Sequence, residues 1–256
     1  MNAYPAGPLR GPDGLFHMAW VWRDTPDCRT NHDVSYARSR DLVHWETVGS
    51  KPIELPITLD TPGVIVDPVP AGGGMINSNL EIGFDSQNRA VLSYHKFDDA
   101  GHTQAWVARY EDGRWVRRQV TQWRYRWAFK GYGAIGNEIK IAAVQQADPG
   151  NLTLAYDHIR QGAGRLVLDE RSLDPIGRLP PRIRVTAELD RTQSSFPRMQ
   201  VRWRNDLGRA PLPGVRYLLR WETLPANRDH KPDGLLPEPS ALRVYELRTS
   251  LGGEQK

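Results

Sequence analysis

Leu15-Phe16-His17-Met18-Ala19-Trp20-Val21-Trp22 follows a Pro12-Asp13-Gly14 turn and alternates aromatic with smaller residues. A period of two is the mark of a half-buried β-strand, whose successive side chains face opposite sides of a sheet. Val34-Ser35-Tyr36-Ala37-Arg38-Ser39 is a second such run; the chain turns at Asp41 to His44 and leaves through Trp45-Glu46-Thr47-Val48. Working outward, the unit recurs. Leu80 to Phe84, a turn at Asp85 to Asn88, and Ala90 to Lys96 predict one hairpin. Thr103 to Tyr110, Glu111-Asp112-Gly113 and Arg114 to Val120 predict another, Asp-Gly being a good two-strand turn. A third group runs through Glu138–Val144, Leu152–His158 and Arg165–Leu168. A fourth runs through Ile183–Leu189, Met199–Trp203, Val215–Trp221 and Leu242–Leu247.

No helical periodicity competes with this pattern. With 23 Gly and 20 Pro in 256 residues turns are frequent, which favours many short strands. Nine Trp, nine Tyr and five Phe supply the apolar area of a core. Strand groups at intervals of roughly 45–65 residues fall in the range of propeller blades. The expected fold is an all-β propeller of antiparallel blades, with a β-sandwich as the alternative. About four blades cannot readily close a ring, because each blade must cover its neighbour's face. The chain is therefore expected to be a fragment: one partial propeller domain over residues 1–256, its upstream blades missing, with a polar tail from about 249. Face-to-face pairing of two copies is the other way to cover the open faces.

The 39% hydrophobic and 25% charged content is that of a globular chain, not a disordered one. The formal charge is +4, and six of the 34 basic residues are Lys, leaving 28 Arg. Guanidinium forks suit carboxylates, sulfates and phosphates, although a GC-rich genome gives the same excess. No basic block or aromatic–basic RNA motif appears, which weighs against nucleic acid as a partner. No apolar run approaches the about 20 residues of a membrane helix, so no membrane partner is expected. Met1-Asn2-Ala3-Tyr4-Pro5 has neither the basic nor the apolar region of a signal peptide. Location stays open, a secreted or periplasmic parent being one reading. A single cysteine, Cys28, excludes an intrachain disulfide. Ala71-Gly72-Gly73-Gly74 precedes no helix that could bind an anion, so it reads as a flexible connector. No nucleophile elbow or HExxH motif is present, and no organic cofactor is implied.

Ser39-Arg40-Asp41, with Trp45 four residues on, resembles the Asp-box turn of sialidase-like propellers without its glycine. Three stretches carry a wider likeness. The first runs from Trp20 to Asp33 and on through Ser35–Ser39 and Asp41–Trp45. The second is Glu81–Asp85 with Ser93-Tyr94-His95-Lys96-Phe97-Asp98. The third is Tyr125-Arg126-Trp127-Ala128-Phe129 with Gly131-Tyr132-Gly133 and Leu168-Asp169-Glu170. Together they resemble BNR-repeat proteins related to the ulvan lyases of polysaccharide lyase families 24 and 25. The resemblance implies a seven-bladed parent of roughly twice this length and an acidic, uronate-containing polysaccharide as partner. It also implies cleavage by β-elimination. The family segment holding a catalytic His and a Tyr–Arg pair has no counterpart before Asn2, so this chain alone is expected to be inactive.

β-Elimination removes the proton next to the uronate carboxylate, so cationic or hydrogen-bonding groups must first neutralise that carboxylate. A base and an acid, often His and Tyr, must then reach the two sides of the bond. Tyr36, just after the Asn31-His32-Asp33 loop, is the catalytic candidate by resemblance; a core Tyr on an alternating strand is the other reading. Asn31, His95, Lys96, Arg126 and Trp127 are the substrate-binding candidates, and each has a packing role as its alternative. Cys28 and His32, four apart in a loop, could join His17 or His95 in a tetrahedral structural zinc site. An inert buried thiol beside a loop histidine is the other reading. Two competing functions remain. A sialidase-like glycoside hydrolase would need paired carboxylates, for which Asp24, Asp33 and Glu81 are loose candidates. A non-catalytic glycan-binding propeller would need none.

Overall fold

The computed structural model describes residues 1–181, 187–205, 212, 215–231 and 233–248. The chain divides into two compact units. The first is Met1–Tyr132 with Asn137–Arg182, and the second is Gly133–Gly136 with Ile183–Lys256. Both are built of antiparallel sheets, and the two helical pieces, Cys28–Thr30 and Asn77–Asn79, are single 3₁₀ turns. Among the described residues no helix is long and apolar enough to cross a membrane.

Sheet one holds β1 (Asn2–Arg10), β2 (Phe16–Arg23), β3 (Asn31–Ser39), β4 (Trp45–Glu46) and β5 (Pro52–Ile53) in that order, with β6 (Ile65–Asp67) also pairing β3. Sheet two is the meander β7 (Glu81–Phe84), β8 (Ala90–Phe97), β9 (Thr103–Glu111) and β10 (Arg114–Gln119). Sheet three runs β11 (Ile139–Ile141), β13 (Asn151–His158), β14 (Gly162–Asp169), β15 (Pro175–Leu179), and β12 (Gln145–Gln146) also pairs β13. Sheet four, in the second unit, is β16 (Gln200–Asn205), β17 (Val215–Thr223) and β18 (Arg243–Arg248). The all-β, blade-like pattern expected from the sequence is what the chain forms. Part of the expected strand Ile183–Leu189 lies outside the described residues, as does the tail from 249. Residues 187–190 form a turn.

The alternation in β2 sorts its side chains onto two cores. Ala19 and Val21, with Val34 and Tyr36 of β3, face sheet two and meet Leu80, Ile82, Leu92, Tyr94 and Ala108 there. Trp20, Trp22 and Ala37 face the other way and are covered by Val64, Ile53, Ile57, Leu59 and Ile65 of the same chain. Burying one such large apolar side chain contributes about 1.5–3 kcal/mol. Sheets two and three lie equally close. A Cβ on Gly83 would sit 2.3 Å from the Val144 carbonyl oxygen, so only glycine fits in β7 at that point. Asn79 donates to the Ile139 carbonyl at 2.7 Å and accepts from Ile141 N–H at 3.2 Å, pinning the start of β7 to β11. Arg109, 1% exposed, reaches from β9 to Asp85 and Glu111 and donates to the carbonyls of Glu170 and Arg171.

Three features differ from the sequence expectation. β1 was hidden by Pro5, Gly7 and Pro8, which read as breakers. It is an edge strand paired only with β2, where a missing N–H costs no ladder bond. The Asp-box turn forms without its glycine: Asp41 Oδ1 accepts from Val43 and His44 N–H at 2.9 and 2.8 Å, and Leu42 takes the left-handed conformation at φ 66°. The glycine run is pinned, not a loose connector. Gly72 N–H bonds the Arg29 carbonyl, the Gly73 carbonyl accepts from Phe97 N–H, and Gly74, at φ 81°, lies against the Phe97 ring.

Candidate functional site

β2, β8 and β13 are the second strands of their sheets, and backbone bonds tie their last residues into one end of the first unit. The loop after β2 bonds residue 72 through Arg29, and residue 73 bonds Phe97 at the end of β8. Thr103 N–H bonds the Tyr125 carbonyl, and Ile159 N–H, just past β13, bonds the Glu138 carbonyl. Cys28 N–H bonds the Gly131 carbonyl, and Gly131 N–H returns a bond to Asp27 Oδ1 at 2.7 Å.

This end carries four cations laid over aromatic rings. Arg23 lies over Tyr4 at 5.2 Å, Lys96 over Trp106 at 4.3 Å, Arg126 over Phe97 at 3.8 Å and Arg160 over Tyr125 at 4.7 Å. Each pair contributes about 0.5–1 kcal/mol where exposed. Arg23 and Arg126 each give N–H groups to nearby carbonyls, of Thr25 and Pro26 and of Gly101, and a guanidinium has five such donors, so others stay open to an anion. Lys96 also donates to Asp67 Oδ2 at 2.6 Å, and so does the Tyr94 hydroxyl at 2.6 Å. Arg117 lies 3.5 Å from Asp67 Oδ1. Two cations thus attend one buried carboxylate. Burial, and then Asp67, raise the Tyr94 pKa well above its usual value, so its hydroxyl stays a donor.

Of the predicted site residues, Asn31, His32, Cys28, His95, Lys96, Arg126 and Trp127 stand at or just beneath this end. Asn31 is buried and donates to the Cys28 carbonyl at 2.6 Å, which closes the loop. His95 is fully enclosed against Trp127 and Phe129, with ring centroids 5.2 and 6.2 Å away. Neither of its ring nitrogens makes a hydrogen bond of good geometry. Burial takes its pKa down to about 4, opposed in part by the nearby Gly74 backbone. Trp127 is 3% exposed and packs inward. Arg126 is exposed and donates to the Gly101 carbonyl at 2.7 Å.

Tyr36 is elsewhere. It is 1% exposed between sheets one and two, edge-on to Trp115, and its hydroxyl lies 2.5 Å from His17 Nδ1. His17 Nε2 lies 2.9 Å from Asp13 Oδ1. A carboxylate only accepts, so Nε2 carries the proton and Nδ1 accepts from Tyr36. Burial raises the Asp13 pKa, but hydrogen bonds from His17 and Leu15 outweigh it and hold the carboxyl below its usual range. Burial pushes the Tyr36 pKa far up.

The three histidines weighed as zinc ligands have other neighbours. His32 Nδ1 lies 2.9 Å from Asp33 Oδ2, and Nε2 lies 3.3 Å from Asp24 Oδ1. His17 belongs to the Tyr36 chain and His95 to the Trp127 pocket. Among the described residues no group of three His, Cys, Asp or Glu side chains is placed to hold a metal ion. Asp24 and Asp33, weighed as hydrolase carboxylates, flank the His32 ring, while burial raises the Glu81 pKa.

Arg160, Glu138, Tyr125 and Arg124 escaped the sequence reading. Tyr125 donates to Glu138, and burial followed by that carboxylate pushes its pKa up to about 12. The signal was present in Trp123-Arg124-Tyr125-Arg126-Trp127, where aromatic and basic residues alternate strictly.

A family model described as BNR repeat-containing family member matches residues 1–123, which span sheets one and two. None of the curated proteins matches the chain. Among solved structures, one match is an engineered GH43 glycoside hydrolase that displays both endo-xylanase and exo-arabinofuranosidase activity. Its identity is 12% and its TM-score 0.31, over 93% of this chain and 40% of that one. The present chain thus spans well under half of that protein's length.

Proposed function

We propose that this protein is carbohydrate-active and engages an acidic polysaccharide at the end of the first unit where β2, β8 and β13 finish. The observation that carries this reading is the set of cation–aromatic pairs there, drawn from sheets one and two, the segment after β10 and the turn after β13. Fixed guanidinium edges suit a carboxylate or sulfate, and rings beside them suit the apolar face of a sugar. The BNR-repeat match over residues 1–123 supports a carbohydrate setting.

The finer reading is β-elimination on a uronate-containing, ulvan-like chain, and one observation favours it. Asp13, His17 and Tyr36 form a hydrogen-bonded series that pairs the two side-chain types such chemistry uses for base and acid. In the structure that series lies in the interior between sheets, so turnover would require Tyr36 to become accessible. Titrating the protein with a polyuronate, a sulfated polysaccharide and a neutral glycan, while following the ultraviolet absorbance of an unsaturated uronate, tests both levels. Binding of an acidic chain without new absorbance supports a glycan-binding protein. Binding with new absorbance supports the lyase. Reducing ends released without that absorbance would point to hydrolysis, and equal affinity for the neutral glycan would sink the acidic-glycan reading.

A further inference from the structure

The segment from Thr121 to Lys130 is assigned to no regular strand, yet its side chains alternate. Trp123 and Trp127 are buried, at 4% and 3%, and Tyr125 and Phe129 are half-buried. Arg124, Arg126 and Lys130 are exposed. The alternation has a mechanical cause. The segment runs back alongside the start of β9, held by Trp123 N–H to Gln104 Oε1 at 2.8 Å, Thr103 N–H to the Tyr125 carbonyl at 2.7 Å and Trp127 N–H to Thr103 Oγ1 at 2.8 Å. Its rings fill the space above His95 and His158: Trp127 lies 5.2 Å from His95, and Trp123 4.6 Å from His158. With the rings anchored inward, an extended backbone must present the intervening residues outward. Arg124 and Lys130 are six residues apart, which in an extended chain is about 20 Å.

The two guanidinium groups of this segment, Arg124 and Arg126, are exposed. Arg38, Arg89, Arg109, Arg117 and Arg118 each sit within 4 Å of a carboxylate, whereas other exposed arginines of the first unit, Arg114 among them, do not. Arg124, Arg126 and Arg160 have no ion pair among the described residues. A row of exposed cations is most often only a solvated face. Here each cation adjoins a buried or half-buried aromatic ring, so the row is held in place and costs little entropy to use.

We infer that residues 124–130, with Arg160 beside them, form a track for a linear polyanionic chain, binding successive carboxylate or sulfate groups on several consecutive sugars. This rests on the reading of the end face as a glycan site and deepens it: the ligand is a polymer segment, not a single acidic sugar. Its contacts are exposed ion pairs, each able to change affinity by a factor of up to about five and each weakened by salt.

The test compares the full chain with Arg124→Gln/Arg126→Gln and, as a matched loss of charge, Arg114→Gln. Arg114 is exposed on the β9–β10 hairpin, at the opposite ends of those strands. Binding is measured by calorimetry at low and high salt, with oligouronates of increasing length, a sulfated glucan and single-stranded DNA. Affinity should rise with oligomer length. The double variant should lose about tenfold on long chains at low salt and much less at high salt, with Arg114→Gln near wild type. Whichever polyanion, uronate or sulfate, shows this pattern identifies the anion the track takes. If wild type binds acidic polysaccharide and the double variant binds it equally, the track is wrong while the end-face reading stands. Affinity independent of length also overturns the track. If wild type binds neither polysaccharide, both readings fall, and tighter binding of the DNA would reassign the surface to nucleic acid.

Discussion

Replacing His95 by Phe should remove a specific part of the acid sensitivity of this fold. His95 is 1% exposed, wedged against Trp127 and Phe129, and held neutral by burial with a pKa of about 4. In the unfolded chain it titrates near the ordinary value of 6.5. Between these values the unfolded state binds one more proton than the folded state, so folding stability must fall as the pH falls. The contribution is fully present above about pH 6.5 and is lost by about pH 4. The total is about 3.4 kcal/mol, from 1.36 kcal/mol per unit, and about 1.4 kcal/mol of it is already gone at pH 5.5. Carboxylates titrate over part of the same range, so the quantity to follow is the difference between wild type and His95→Phe. Urea unfolding followed by tryptophan fluorescence, repeated from about pH 7.5 down to about 4.5, gives that difference directly. The variant should gain on wild type with each step towards acid. Stability curves that stay parallel across the range would show that His95 is protonated or solvated in the folded protein, and the enclosed pocket would have to be given up.

Arg109→Met should cost about 3–5 kcal/mol in urea unfolding, because Asp85 and Glu111 lose a shared buried cation and two carbonyls lose a donor; a loss under about 1 kcal/mol would contradict its bridging role. Leu42→Gly should raise stability by about 0.5–1 kcal/mol, since Leu42 sits at φ 66° where glycine is relaxed and its side chain is already 43% exposed. An unchanged or lower melting temperature would argue that Leu42 packs usefully. Tyr36→Phe should destabilise by about 1–3 kcal/mol by leaving His17 Nδ1 buried without its donor. From sequence alone this substitution is expected to be nearly neutral for stability, and a neutral result would return Tyr36 to the list of exposed reacting groups.

The strands were legible where side chains alternate and turns carry Gly or Asp. Met18 to Trp22 shows why: successive residues join different cores and every second residue the same one, so period and burial coincide. β1 was not legible, because its two prolines report local conformation, whereas only the pairing partner reveals that the strand lies at an edge. Candidate residues divided the same way. Lys96 and Arg126 end or follow strands and proved to lie at the end face. Tyr36 was placed there by resemblance alone, although its own alternation with Val34 assigned it to the interior. The pairing of Arg160 with Tyr125 joins residues 35 positions apart through two sheets, and no local pattern announces such a contact. The second unit gave the least, since its first expected strand falls largely outside the described residues.

The loops of the first unit follow two different principles of dependence. At the turn following β3, Asp41 and Ser39 satisfy the neighbouring amides and the His44 carbonyl from within seven residues, Ser39 to Trp45. At the opposite end the loops lean on distant segments as well as on themselves: residue 28 on 131, 29 on 72, 73 on 97, 103 on 125 and 138 on 159. The first arrangement is modular. A fluorophore carried at the exposed side-chain position 43 should be tolerated as a private matter of that hairpin. The second is communal, so a graft into any one of its loops would loosen neighbours in the adjoining sheets, and natural variation there should arrive as coordinated sets of changes.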